Sequence, residues 1–248
     1  MKQRADTLSN KKTAGRVYTP DYIVNNILDL CGYTGAEILG KHIIDNSCGD
    51  GAFLVQVVFR YCAAAREAGL SADQTAVALS HFIHGIEIDA DECDKCRRNL
   101  STAATVCGVT NTSWDIVCGD ALDITVYNGK MDYVVGNPPY VRVHNLLGNY
   151  NSVKSYSFAQ GGMTDLFIVF YEIGMNMLNG AGVLGYITPS SLYNSVAAAT
   201  MRARLSCDRN IRAVVDLKHF QPFDATTYTT IMILSRKPNG FVDYRSAK

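Results

Sequence analysis

Asn137-Pro138-Pro139-Tyr140 is the segment of this 248-residue sequence whose residue types define a chemistry most narrowly. The exocyclic amine of a nucleobase is a poor nucleophile, because its lone pair is delocalised into the ring. Two acceptors held below the ring plane draw the N–H bonds out of plane and free the lone pair. The Asn137 side-chain oxygen and the Pro138 carbonyl can be those acceptors. Pro138 and Pro139 stiffen the turn and remove backbone donors that would compete. Tyr140 offers an aromatic face on which an extruded base can stack. A specified tetrapeptide of this kind arises by chance in a chain this long on the order of once in a thousand, so it outweighs the commoner glycine pairs. The bland alternative is a Pro-Pro turn closing a strand beside a core tyrosine.

Three acidic segments each follow a short apolar run: Asp45-Asn46-Ser47-Cys48-Gly49-Asp50-Gly51, Glu87-Ile88-Asp89 and Gly119-Asp120. Gly49 and Gly51 let the backbone turn tightly and approach a ligand. A carboxylate such as Glu87 can hold two ribose hydroxyls, and Asp120 suits an adenine amino group. Helix capping by Asp45, Asp89 and Asp120 is the competing reading. A dinucleotide loop would need G-x-G-x-x-G, but its third position is the bulky Leu54. Asp45 would also repel a pyrophosphate. It would favour an ammonium, such as that on the methionine part of S-adenosylmethionine.

The elements that must position these residues follow from periodicity. Apolar runs predict strands at 42–45, 82–88, 114–118, 131–135, 183–187, 211–217 and 229–235. Amphipathic stretches predict helices at 51–68, 72–81, 89–104, 166–178 and 192–205. This alternation implies an α/β fold, a mostly parallel sheet with helices on both faces. The last two strands lack a crossover helix, so they should form an antiparallel hairpin. In such a sheet ligands bind beyond the carboxyl ends of the strands, where strand order reverses. Residues 141–163 have no period, which marks a functional or disordered loop.

Composition excludes other classes. The 23 Lys+Arg cancel the 23 Asp+Glu, so no net charge draws the chain to nucleic acid or membrane. The polar N-terminus has no apolar segment of a secretory signal, which places the chain in the cytoplasm. The uncharged stretch 173–201 is interrupted by Gly, Asn, Ser and Pro, so it predicts no membrane span. Cys93-x-x-Cys96 has no second pair to complete a metal site and reads as two thiols on one helical turn. The absence of a Pro-Cys dipeptide leaves no thiolate for cytosine-C5 chemistry. The sequence has no P-loop either.

Taken together, Asp45-x-x-Cys48-Gly49-x-Gly51-x-Phe53, Asn137-Pro138-Pro139-Tyr140 and the upstream Gly15-Arg16-Val17-Tyr18-Thr19-Pro20 resemble the gamma class of adenine-N6 DNA methyltransferases. TaqI-type and restriction–modification enzymes belong to that class. The resemblance runs from about Thr13 to Ser235 and implies a Rossmann-like methyltransferase fold of seven strands, with residues 1–12 as a tail and 13–248 as the catalytic domain. It implies S-adenosylmethionine as cofactor, held by Tyr18, Thr19, Pro20 and the turn Cys48, Gly49 and Gly51. Asp45 would face the ammonium, Glu87 the ribose, and Asp120 with Ala121 the adenine amino group. Ile88 and Phe170 would flank the adenine ring, with Thr164-Asp165-Leu166-Phe167 starting the helix that brings Phe170 there. Asn137, Pro138, Pro139 and Tyr140 would act on a flipped adenine of double-stranded DNA, and Phe223 would be a second stacking aromatic. Arg142, His144 and Lys154 could touch phosphates. Asn46 departs from the pattern, since many members have Pro there. A specificity domain or subunit and a restriction nuclease are the implied partners. Glutamine or RNA methylation is the alternative activity, because those enzymes share Asn-Pro-Pro-Tyr. A donor-binding scaffold without activity is the alternative class.

Overall fold

The computed structural model describes residues 19–143, 153, 155–160, 164–218 and 228–247. Eight strands among them form one sheet: β1 (Ile43–Asp45), β2 (Ile83–Glu87), β3 (Asp115–Cys118), β4 (Met131–Gly136), β5 (Leu178–Pro189), β6 (Ile211–Asp216), β7 (Thr229–Ser235) and β8 (Asp243–Ser246). Their spatial order is β3-β2-β1-β4-β5-β7-β6-β8. β3, β2, β1, β4 and β5 run parallel. β7 inserts antiparallel between β5 and β6. The order reverses between β1 and β4, so the crevice at their carboxyl ends is the expected ligand position.

The sheet is α/β with an antiparallel β6–β7 hairpin, as the pattern predicts, but it has eight strands and not seven. β8 is a short edge strand parallel to β6, and three of its four residues are exposed. A strand with so little buried surface carries no hydrophobic pattern to read. β5 begins at Leu178, not at 183, through Asn-Gly-Ala-Gly, a stretch poor in strand formers that pairing with Met131 nevertheless recruits.

Helices cover both faces. α1 (Asp21–Cys31), α2 (Ala52–Glu67), α3 (Ala72–Phe82) and α4 (Ala90–Val106) bury their apolar stripes in one cluster with Ile43 and Val135. α5 (Leu166–Met177) and α6 (Ala199–Cys207) pack in a second cluster with Ile44 and Val134. Successive residues of β1 and β4 therefore serve opposite cores, which explains why those strands are apolar without alternation. The periodicity reading omitted α1, although Ile23, Val24, Ile27, Leu28 and Cys31 form its buried face. Gly185 of β5 lets α1 lie close, since a Cβ there would come within 2.9 Å of Ile27.

The helix predicted at 192–205 is two pieces: a 3-10 turn at Ser190–Tyr193 and then α6. Arg202 explains the break. Its Nη1 donates to the carbonyls of Leu192 and Ser195, at 2.9 and 2.8 Å, and satisfies them outside a continuous helix. Cys93 and Cys96 are buried along α4. No helix among the described residues is long and apolar enough to cross a membrane. No group of three or more His, Cys, Asp or Glu suited to a metal occurs among them.

Candidate active site

Asp45 ends β1 and is 2% exposed. Burial, and next the charge of Glu87, push its carboxyl up to about 7, against the opposing hydrogen bond from the Ser47 N–H at 3.0 Å. No cation among the described residues offsets that burial. Gly136 at the end of β4 makes the neighbouring turn possible. Its φ is 154°, and a Cβ there would lie 2.7 Å from Asp45 Oδ1. With any side chain at 136, the strand leading to Asn137 could not pass this close to Asp45. Gly136→Ala should cost about 1–3 kcal/mol by overpacking. Urea unfolding without and with donor is the check, and an unchanged midpoint would contradict it.

The β1 turn is organised by its neighbour. Glu87 accepts from the Gly49 N–H at 3.0 Å with one oxygen and from the Asp89 N–H at 2.9 Å with the other. The Cys48 N–H donates to the Ile86 carbonyl at 2.9 Å, and Gly119 N–H to the Glu87 carbonyl at 2.8 Å. Three strand ends are thus stitched together around one carboxylate. Each of its oxygens has a second lone pair for a sugar hydroxyl. Gly51 opens α2 at φ 95°, with Cys96 Sγ 2.9 Å from where a Cβ would stand. The capping reading holds for Asp89, whose side chain accepts from the Asp91 and Glu92 N–H groups at the start of α4. It does not hold for Asp45, since α2 is capped by Gly51. Asp120 accepts from the Leu122 N–H at 3.0 Å. Ala121 and Phe170 share one buried cluster, while Ile88 projects with 66% exposure beside Glu87.

Across the switch point, Asn137 Nδ2 donates to Thr19 Oγ1 at 3.2 Å. Asn137 Oδ1 is buried with no hydrogen-bond partner among the described residues. Pro138 is buried, and Pro139 and Tyr140 are half-buried. The Tyr140 hydroxyl donates to the Ile187 carbonyl at 3.3 Å, and its ring meets Phe167 edge-on with centroids 6.4 Å apart. Burial pushes that hydroxyl well above its ordinary value, so it stays protonated and anchors the ring. The residues after Tyr140 pair with those before α5: Val143 N–H donates to the Thr164 carbonyl and Leu166 N–H to that of Val141, at 2.9 and 2.8 Å. That pairing sets the start of α5, and with it Phe167 and Phe170. Tyr18, Phe223, His144 and Lys154 lie outside the described residues.

Asn46 and Tyr186 form a contact that pattern reading missed. The Tyr186 hydroxyl, on β5, donates to Asn46 Oδ1 at 2.8 Å, with both side chains fully buried. Gly174 of α5 leaves the room, since a Cβ there would stand 2.6 Å from that hydroxyl. No local signal links two residues 140 positions apart. Asn46, a departure from the resemblance, is thus fixed by a partner of its own. Tyr186→Phe should cost about 1–3 kcal/mol, because it leaves the buried Asn46 oxygen unpaired. Chemical denaturation checks this, and adding Asn46→Ala to the Tyr186→Phe variant should cost little more.

The mostly parallel sheet thus places acidic residues at successive strand ends and Asn-Pro-Pro-Tyr at the switch point. The Eco57I restriction-modification methylase family matches residues 68–223. The chain belongs to that family. It is 30% identical over 240 residues to the type II methyltransferase M.BstVI of Geobacillus stearothermophilus, covering 90% of this chain and 42% of that protein. The methylase chain thus spans under half the length of this relative. Its fold matches a protein of Listeria monocytogenes assigned as a class I S-adenosylmethionine-dependent methyltransferase, with TM-score 0.67, 16% identity and coverage of 92% and 65% of the two chains. It also matches the ATP-dependent Type ISP restriction-modification enzyme LlaBIII bound to DNA, with TM-score 0.73, 18% identity and coverage of 95% and 20%. The gamma-class resemblance is consistent with this membership. The cofactor of this methylase family and fold is S-adenosylmethionine. The site fits it on its own chemistry: among the described residues Asp45 is a buried carboxylate without a cation and the Ser47 hydroxyl is buried without a partner, and each Glu87 oxygen accepts one backbone N–H and keeps a second lone pair.

Proposed function

We propose that this chain is the catalytic domain, residues 13–248, of a cytoplasmic, site-specific DNA methyltransferase that modifies the N6 amine of a flipped adenine in double-stranded DNA. The buried, unpartnered Asn137 Oδ1 carries the reading. A buried acceptor without a donor is costly and uncommon, and an incoming amine N–H supplies the missing donor. The curated relative is a type II methyltransferase, and the LlaBIII structure contains DNA. Both support DNA over glutamine or RNA as the substrate.

When bound, S-adenosylmethionine supplies a methyl group on a sulfonium. Asp45 would pair with the ammonium, Glu87 would take the ribose hydroxyls and Asp120 the adenine amine, while Ile88 and Phe170 would flank the ring. Tyr18, Thr19, Pro20 and the Cys48–Gly51 turn complete the donor side. Asn137 Oδ1 and the Pro138 carbonyl would hold the two hydrogens of the target amine and free its lone pair. Tyr140 and Phe223 stack on the extruded base. No covalent enzyme intermediate would be needed. Positioning and amine activation lower the barrier. The extra proton on the product nitrogen leaves to water. A specificity domain or subunit reads the site, and a nuclease is the partner activity of such a system.

Tritiated donor offered to unmethylated DNA, transfer RNA and a release factor tests this reading. Label should enter DNA and, after digestion, appear as N6-methyladenine. Label in N4-methylcytosine would correct the base, and label in RNA or protein alone would overturn the reading.

A further inference from the structure

Thr19 is 3% exposed and immediately precedes Pro20, whose carbonyl accepts the Ile23 and Val24 N–H groups at 2.9 and 3.1 Å to start α1. The residue is therefore fixed to a helix packed under the sheet, not carried on a free strand of chain. Its hydroxyl oxygen receives Asn137 Nδ2 at 3.2 Å. A primary amide has a donor end and an acceptor end, and the two interchange by rotation about one bond. Only the orientation with its oxygen toward the target can activate an amine. The reverse orientation presents N–H to N–H and repels. In this structure the donor end is tethered at Thr19, and the acceptor end is the buried oxygen without a partner.

We propose that Thr19 is a positioning residue for the methyl-transfer step, holding the Asn137 amide so that its oxygen faces the target amine. This rests on the function proposed above and adds to the donor-side role that the family resemblance implies for Thr19. Losing the tether frees the amide to turn, and most of its orientations are unproductive. The defect falls on the transfer step more than on donor capture. A serine keeps the hydroxyl, and a valine keeps the shape without it.

The test uses the full-length enzyme, with single-turnover methyl transfer to DNA at saturating donor and calorimetric donor binding. Thr19→Val should slow transfer roughly 10- to 100-fold, while donor Kd rises less than tenfold. Thr19→Ser should stay within about threefold of wild type in both. If Thr19→Val does not fold, as judged by thermal unfolding, Thr19→Ala gives the same comparison with less bulk. A loss confined to donor Kd, with transfer at saturation unchanged, would overturn the proposal. So would a serine variant as slow as the valine one. A wild-type enzyme that transfers no methyl to DNA would instead refute the proposed function, so the two failures are distinguishable.

Discussion

Asn137→Ala should lower methyl transfer to DNA by roughly 100- to 1,000-fold, the range for removing one preorganised polar group that acts on the reacting centre. Donor affinity should stay within about threefold. Among the described residues the side chain makes one hydrogen bond, to Thr19 Oγ1, and its oxygen has no partner. Among the described residues the proposed donor side meets Asn137 at Thr19 alone, while Asp45, the Glu87-supported turn and Asp120 make their hydrogen bonds elsewhere. Removing the amide relieves a buried unpartnered oxygen but also takes its donor from the buried Thr19 hydroxyl, so the two effects oppose and stability without DNA should change little. Rapid-quench transfer and calorimetry separate the two quantities. Transfer by the alanine variant at the wild-type rate would falsify the role of Asn137.

The second large effect concerns pH. Asp45 has an ordinary carboxylate value of 3.8 when exposed, and burial in the donor-free fold raises it to about 7. Between those values the folded state binds the extra proton, so ionising Asp45 costs folding stability as pH rises from about 4 to 7. An ammonium beside Asp45 reverses the sign, because it selects the carboxylate. Donor binding should therefore release a proton. Apparent donor affinity should fall about tenfold for each pH unit below 7 and level off above it. Near pH 7 about half a proton should leave per donor bound. Calorimetry in buffers of different ionisation enthalpy measures that number directly. Asp45→Asn should abolish both the proton release and the pH slope, and weaken donor binding at pH 8 at least tenfold. A donor Kd that does not change between pH 5.5 and 8 would show that Asp45 does not meet the ammonium.

Both predictions depend on residues whose importance shows at different levels. Asn137 and Pro138 stand out in the chain because amine activation needs those residue types in that order. Asp45 is recognisable from its place after a short apolar run. Its altered acidity is not, because burial belongs to the folded molecule. Gly136 reads as a strand stop, and only the sheet reveals that its missing Cβ makes room for Asp45. The Asn46–Tyr186 bond, the Thr19–Asn137 tether and the Arg202 bridge join residues distant in sequence or across a broken helix. No periodicity encodes any of them.

The chain by itself determined the alternation of strands and helices, the parallel sheet with its antiparallel β6–β7 hairpin, and the segments at each strand end. Local hydrophobic period and turn chemistry are enough for those. The eighth strand, the early start of β5 and the split before α6 were decided by tertiary pairing, which supplied partners that local propensity did not. The site divides the same way. Residue types set what chemistry is available, and the sheet decided which atoms meet, which carboxylate is dry and which amide oxygen is left without a donor. Distance, burial and the loss of water are properties of the packed chain, and they turn a list of candidate residues into a working arrangement.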